Sequence, residues 1–114
     1  MCGIARLIDF RRETTDAEIQ SLAIRMAHTL RHGGPDDAGV WVDTAAGIAL
    51  GHGRLAILDL SPTGHQPMES SSGPFVIVFN GEIYNFQELH VEMEESCSFR
   101  GHSDTEVMLA CVER

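Results

Sequence analysis

Basic side chains are scarce in this sequence. Lys plus Arg total eight against 17 Asp plus Glu, giving a formal charge of −9. That balance argues against nucleic-acid backbones and anionic membrane surfaces, both of which need basic patches. No apolar run approaches the roughly 20 residues of a membrane span. The N-terminus also lacks the basic stretch and apolar segment of a leader peptide. Cysteine is sparse as well: three residues, an odd number, with no CxxC pair. This fits a reducing compartment better than a disulfide framework, so the cytoplasm is the expected location. There is no internal repeat, low-complexity tract or linker.

What remains is an ordinary globular composition, 43% hydrophobic and 22% charged over 114 residues, enough for one small domain. Residues 3–10 (GIARLIDF) read as a strand that starts almost at the first residue. Thr15-Asp16-Ala17-Glu18 has the capping-box pattern, and Ile19, Leu22, Ala23, Met26, Ala27 and Leu30 follow at spacings of three and four. They predict a helix of about four turns with one apolar stripe, ended by Gly33-Gly34-Pro35. Short apolar runs at 40–42, 48–50, 55–60 and 75–79 read as strands, with a loop at 61–67 before the last. Asn85 to Glu88 repeats the cap logic before a short helix holding Leu89 and Met93. Ser103 to Glu106 repeats it again before Val107, Met108, Cys111 and Val112. That last pattern is still open at Arg114, so the sequence is expected to be a piece of a longer domain.

Cys2 directly follows the initiator Met1 and leads into the first strand. Removing Met1 would leave a thiol and an α-amine on one residue, and an unperturbed α-amine has a pKa of roughly 7.7–8.0. Such an amine can serve as the base for its own nucleophile, directly or through a water. The competing reading is a chance cysteine at the second position.

Six segments occur in order: Met1-Cys2-Gly3-Ile4, His32-x-Gly34-Pro35-Asp36, Gly51-His52-x-Arg54-Leu55-x-Ile57, Gly64-His65-Gln66-Pro67-Met68, Asn80-Gly81-Glu82-Ile83-Tyr84-Asn85 and Ser103-Asp104-Thr105-Glu106. Together they resemble the class II glutamine amidotransferases, and among these the glutamine-hydrolysing asparagine synthetases most closely. The resemblance covers nearly the whole chain. It departs at Arg6, where the family tends to have glycine, at Gly33, where it has arginine, and at Gly53, where it often has a charged residue.

The resemblance implies an α+β fold of the N-terminal-nucleophile hydrolase type: part of an αββα sandwich of antiparallel sheets with flanking helices, its C-terminal half missing. It implies that Cys2 attacks the side-chain amide of L-glutamine through an oxyanion and a thioester, releasing ammonia. The Asn80 side chain and the Gly81 N–H would be the oxyanion donors, and glycine leaves the approach of that oxygen open. A plain tight turn at Asn80-Gly81 is the competing reading, and the two are compatible. Arg54 would grip the glutamine α-carboxylate, as a guanidinium can with two parallel bonds. Asp104, with Glu82 and Gly81, would take the α-ammonium, and the main chain of Leu55, Ile57 and Leu58 would line the pocket.

No cofactor is expected in this segment; ATP and Mg belong by resemblance to a C-terminal synthetase domain, the expected partner, which the sequence lacks. A homodimer is left open, and nucleic-acid or membrane partners are not expected. The alternative is an inactive, truncated amidotransferase-like module with an interaction role.

Other features read plainly. His28 and His32 lie four apart, but no third residue has metal-ligand spacing, so no metal site is expected. Cys97 and Cys111 read as inert thiols, Met26 and Met93 as core packing, and Glu92, Glu94 and Glu95 as a solvated face.

Overall fold

A computed structural model describes residues 1–57 and 60–114 of the chain. Among the described residues it is α+β, with antiparallel sheets and three α-helices. The larger sheet has three strands, β1 (Gly3–Ile8), β2 (Asp37–Asp43) and β3 (Ile48–Arg54), in the order β1-β3-β2. The register pairs Leu7 with Ala49 and Val42 with Ala49, so these three side chains share one face of the sheet.

Helix α1 (Asp16–Thr29) lies across that face. Its start is the capping box that the sequence predicts. The Thr15 hydroxyl accepts the Glu18 N–H at 3.4 Å, and the Glu18 carboxylate accepts the Thr15 N–H at 2.9 Å. Of the apolar stripe, Ile19, Ala23 and Ala27 are buried, whereas Leu22 faces outward. Ile19 and Ala23 meet Ala49 in the core, with Leu7, Val40 and Val42 around them.

Before the helix, Asp9 accepts hydrogen bonds from the Thr14 hydroxyl and from the N–H groups of Thr14, Arg11 and Arg12. The Thr14 hydroxyl foremost holds the Asp9 carboxyl down at about 2. The β2–β3 connection turns at Gly47, whose φ of 70° suits a residue without Cβ.

The rest of the chain forms a second layer: β4 (Met68–Glu69) paired with β5 (Val76–Ile77), then α2 (Phe86–Met93) and α3 (Asp104–Glu113). Met68, Met93, Val107 and Leu109 are its buried apolar residues. Ser103 caps α3 by accepting the Glu106 N–H at 3.2 Å. Asn85 precedes α2 as expected, yet its side chain makes no cap hydrogen bond. Glu106 does not reach back to its cap either; it accepts the N–H groups of Arg100 at 2.7 Å and Gly101 at 2.8 Å.

All four short-run strand expectations change. The run at 75–79 is a strand only at Val76–Ile77. Ile48–Arg54 and Asp37–Asp43 extend well past the apolar runs that announced them. The strand expected at 55–60 is not formed by Leu55, Ala56, Ile57 or Leu60, and Leu58 and Asp59 lie outside the described residues. The reason is visible at Ala56, whose N–H goes to the Asp36 carboxylate at 2.8 Å rather than to a neighbouring strand.

The core makes a quantitative expectation. Ile19 is 0% exposed and Ile24, on the same helix, is 50% exposed. Ile19→Ala should lower the unfolding free energy by about 2–5 kcal/mol in urea titrations, and Ile24→Ala by no more than about 0.5 kcal/mol. Equal effects would contradict this packing of α1.

Candidate active site

Strand β3 alternates its faces. Ala49, Gly51 and Gly53 point toward α1, so His52 and Arg54 point to the opposite side, under the second layer. Both are buried, His52 at 0% exposure and Arg54 at 8%. On that side a cavity of about 410 Å³ opens. Its walls include Cys2, Arg54, Leu55, Ile57, Asn80, Gly81, Glu82 and Asp104, drawn from four separate stretches of the chain. Leu58, the remaining residue of the expected pocket, lies outside the described residues.

Each wall residue is held by an identifiable contact. The half-buried Cys2 thiol sits against Leu55, accepting its N–H at 3.3 Å and pointing at its carbonyl at 3.6 Å. A sulfur just before β1 is thereby tied to the first residue after β3. Arg54 Nη1 donates to the Ser61 carbonyl at 2.9 Å. Gly64 packs flat on the guanidinium, where a Cβ would overlap Nη2. Asp104 accepts the Ile83 N–H at 2.9 Å, which fixes the Glu82–Ile83 backbone beside it. Gly81 lies against the Phe79 ring, and a Cβ there would come within 2.7 Å of it.

Met1 also borders the cavity, its ammonium 3.4 Å from the Gly33 carbonyl. The glycine at 33, where the resembled family has arginine, leaves room for the Met1 carbonyl; a Cβ would sit 2.9 Å from it.

Several wall residues carry no pocket role in the sequence reading: Gly64, Gln66, Phe79, Tyr84, Ser103 (read only as a helix cap) and Thr105. Gln66 and Thr105 are buried and bonded to each other, Gln66 Nε2 to Thr105 Oγ1 at 3.2 Å. Both stand inside the six ordered segments, and Thr105 is next to Asp104; that membership is the signal the sequence offers for them. His52 is the other. Its Nε2 lies 3.2 Å from the Phe79 carbonyl, while Nδ1 is buried without a partner. A carbonyl can only accept, so Nε2 carries the proton of a neutral ring.

The cavity binds together the residues of all the quoted motifs but the second. A model of the glutamine amidotransferase domain matches residues 1–114. The chain belongs to that family. This amidotransferase domain is 39% identical to "Asparagine synthetase [glutamine-hydrolyzing] 3" of Bacillus subtilis and 38% identical to "Asparagine synthetase B [glutamine-hydrolyzing]" of Escherichia coli, over 96% of the chain in each case. It is 32% identical to "Amidase chry2" of Gibberella zeae, again over 96% of the chain. These matches cover 17%, 19% and 17% of the three relatives respectively, so the chain spans less than a quarter of their length. Among the described residues no cluster of three or more His, Cys, Asp or Glu side chains could hold a metal ion, and no helix is long and apolar enough to cross a membrane.

Burial pushes His52 below the ordinary histidine range; the Phe79 carbonyl and the Asp37 charge pull the other way, and Arg54 and His65 reinforce burial. The unfolded chain takes up this proton near a pH of roughly 6.5, and the folded chain only at lower pH. Between those values the unfolded state holds more protons, so stability should fall as pH drops below neutrality. In His52→Gln, urea unfolding at pH 7.5 and 5.5 should show a smaller loss than in the wild type. Identical pH slopes in the two proteins would contradict a neutral, buried His52.

Proposed function

We propose that this chain is the glutaminase part of an asparagine-synthetase-like amidotransferase, hydrolysing L-glutamine to glutamate and ammonia. The observation that carries the reading is the meeting of a thiol, a buried guanidinium, a buried carboxylate and an Asn-Gly pair around one cavity. Glutamine offers three matching groups: a side-chain amide for the thiol and the Asn-Gly pair, an α-carboxylate for the guanidinium and an α-ammonium for the carboxylate.

In the proposed reaction Met1 is first removed. The freed Cys2 α-amine takes the thiol proton, and the sulfur attacks the amide carbon. Negative charge moves to the amide oxygen, where the Asn80 side-chain N–H and the Gly81 N–H receive it; such a donor contributes about 2.7–4 kcal/mol. Collapse of the intermediate passes the proton to the leaving nitrogen, which departs as ammonia, and water then cleaves the thioester to glutamate. Arg54 holds the α-carboxylate by paired charge-assisted hydrogen bonds, and its position is set by Gly64 below and Ser61 at its end. Asp104 and Glu82 face the α-ammonium.

The names of the relatives support a further step, in which ammonia passes to a synthetase domain that uses ATP and Mg to amidate aspartate or a related carboxylate. Outside the cavity, Ile4 and Ile8 lie 42% and 45% exposed on the sheet face away from α1. Further strands of a longer domain would cover them. The three free cysteines support a cytoplasmic setting.

Mass spectrometry of an active preparation should show Met1 absent; turnover by protein that retains it would exclude the α-amine as base. Cys2→Ala should abolish glutamate and ammonia release while isothermal titration still detects glutamine. Arg54→Ala and Asp104→Ala should raise the KM for glutamine about 10- to 100-fold, the size of one lost hydrogen bond to a charged group. Normal glutamine kinetics in both would remove this pocket from the mechanism.

A further inference from the structure

Phe79 is the last residue before the Asn-Gly pair, and its main chain leaves the β4–β5 ladder, which ends at Ile77. A strand end beside a cavity would ordinarily be loose, with its N–H and C=O turned to water. Here both are taken by buried side chains. The Phe79 N–H donates to Gln66 Oε1 at 2.6 Å, and the Phe79 carbonyl lies 3.2 Å from His52 Nε2. His52 is 0% exposed and Gln66 6% exposed.

The two side chains come from different places. His52 stands on the central strand of the larger sheet, while Gln66 lies in the segment that crosses over it. Gln66 also holds the far wall, because its Nε2 donates to Thr105, the neighbour of Asp104. One peptide is thus gripped at both polar groups, and one gripping residue is bonded to the start of α3.

We propose that His52 and Gln66 are positioning residues: by fixing the Phe79 peptide they aim the Asn80 side chain and the Gly81 N–H into the cavity. Gln66 additionally fixes the distance between that oxyanion site and the Asp104 end. This rests on the glutaminase reading. Neither residue touches the reacting atoms. The unpartnered Nδ1 of His52 follows from the same demand: the ring is placed for its Nε2–H, and its other nitrogen is left without a partner.

Oxyanion donors act chiefly in the transition state, so misaiming them should lower kcat and leave glutamine binding nearly intact. Gln66→Met and His52→Leu should lower kcat about 10- to 100-fold, as displacements of about 1 Å do, with KM changed less than about threefold. His52→Gln, whose amide nitrogen can reach the place of Nε2, should recover most of the loss seen in His52→Leu. A purely structural role would instead lower the melting temperature and leave the kcat of the folded enzyme untouched; that result overturns the proposal.

Wild-type protein supplies an arm that needs no variant and no activity. By amide hydrogen exchange, the Phe79 N–H should be protected like the ladder amides of β3, despite standing outside any strand. Exchange at the rate of an open loop amide overturns the clamp. If the wild type fails to hydrolyse glutamine while Phe79 is protected, the glutaminase reading fails and the clamp stands as a feature of the fold.

Discussion

The close approach of α1 to the middle strand of the sheet governs the rest of the molecule. Its face of β3 carries Ala49, Gly51 and Gly53 in succession, with almost no side-chain bulk. A Cβ on Gly51 would already stand 3.2 Å from the Ala27 Cβ, and one on Gly53 would stand 3.3 Å from the Leu30 Cβ. The helix therefore seats nearly on the backbone. Because side chains alternate along a strand, the same residues that permit this contact force His52 and Arg54 to the other side. Two polar side chains are buried there because the second layer covers them. The small residues under the helix and the charged floor of the cavity are one constraint seen from two sides.

A cavity walled largely by loops has a particular difficulty, since loops lack ladder partners for their buried N–H and C=O groups. This chain answers it with side chains bonded to backbone, all but Asp36 of them buried. Asp36 takes the Ala56 N–H, Gln66 and His52 take Phe79, Asp104 takes the Ile83 N–H, and Glu106 takes Arg100 and Gly101. Each net bond contributes only about 0.5–1.5 kcal/mol, somewhat more where a carboxylate accepts. Their larger effect is geometric: they fix irregular backbone at and around the cavity, which a site built from scattered segments requires.

Legibility in the sequence followed from how local the cause of each feature was. Helix α1 is readable because its cap, its stripe and its Gly-Pro stop all lie within it or a few residues from its ends. Strand β3 was half readable: 48–50 is apolar, but its continuation Gly51-His52-Gly53-Arg54 has poor strand propensity and is paired only because β1 and β2 flank it. The run at 55–60 misled for the opposite reason, being apolar yet without strand pairing at Leu55 or Ala56, where Cys2 and Asp36 claim the N–H groups. Asn85 showed where α2 begins but not what its side chain does. In the cavity, the motifs marked Cys2, Arg54, Asn80 and Asp104 as belonging together. Gln66 and His52 carry no role in the sequence reading because the peptide they share, that of Phe79, is a main-chain group, which leaves no imprint in sequence.

The N-terminal turn of α3 shows how much one short segment can carry. Ser103 satisfies the Glu106 N–H, Asp104 reaches out to Ile83, Thr105 receives Gln66, and Glu106 turns back to residues 100 and 101. All four are buried. Burying two carboxylates side by side would be unfavourable in most places. Here each accepts backbone N–H bonds, and both sit at the positive end of a helix dipole, where negative charge is stabilised. The backbone N–H that makes Asp104 tolerable inside the protein also holds its carboxylate in the cavity wall, where it can accept from a cationic group. A helix start that folds the second layer thereby also provides the cavity wall with its negative charge.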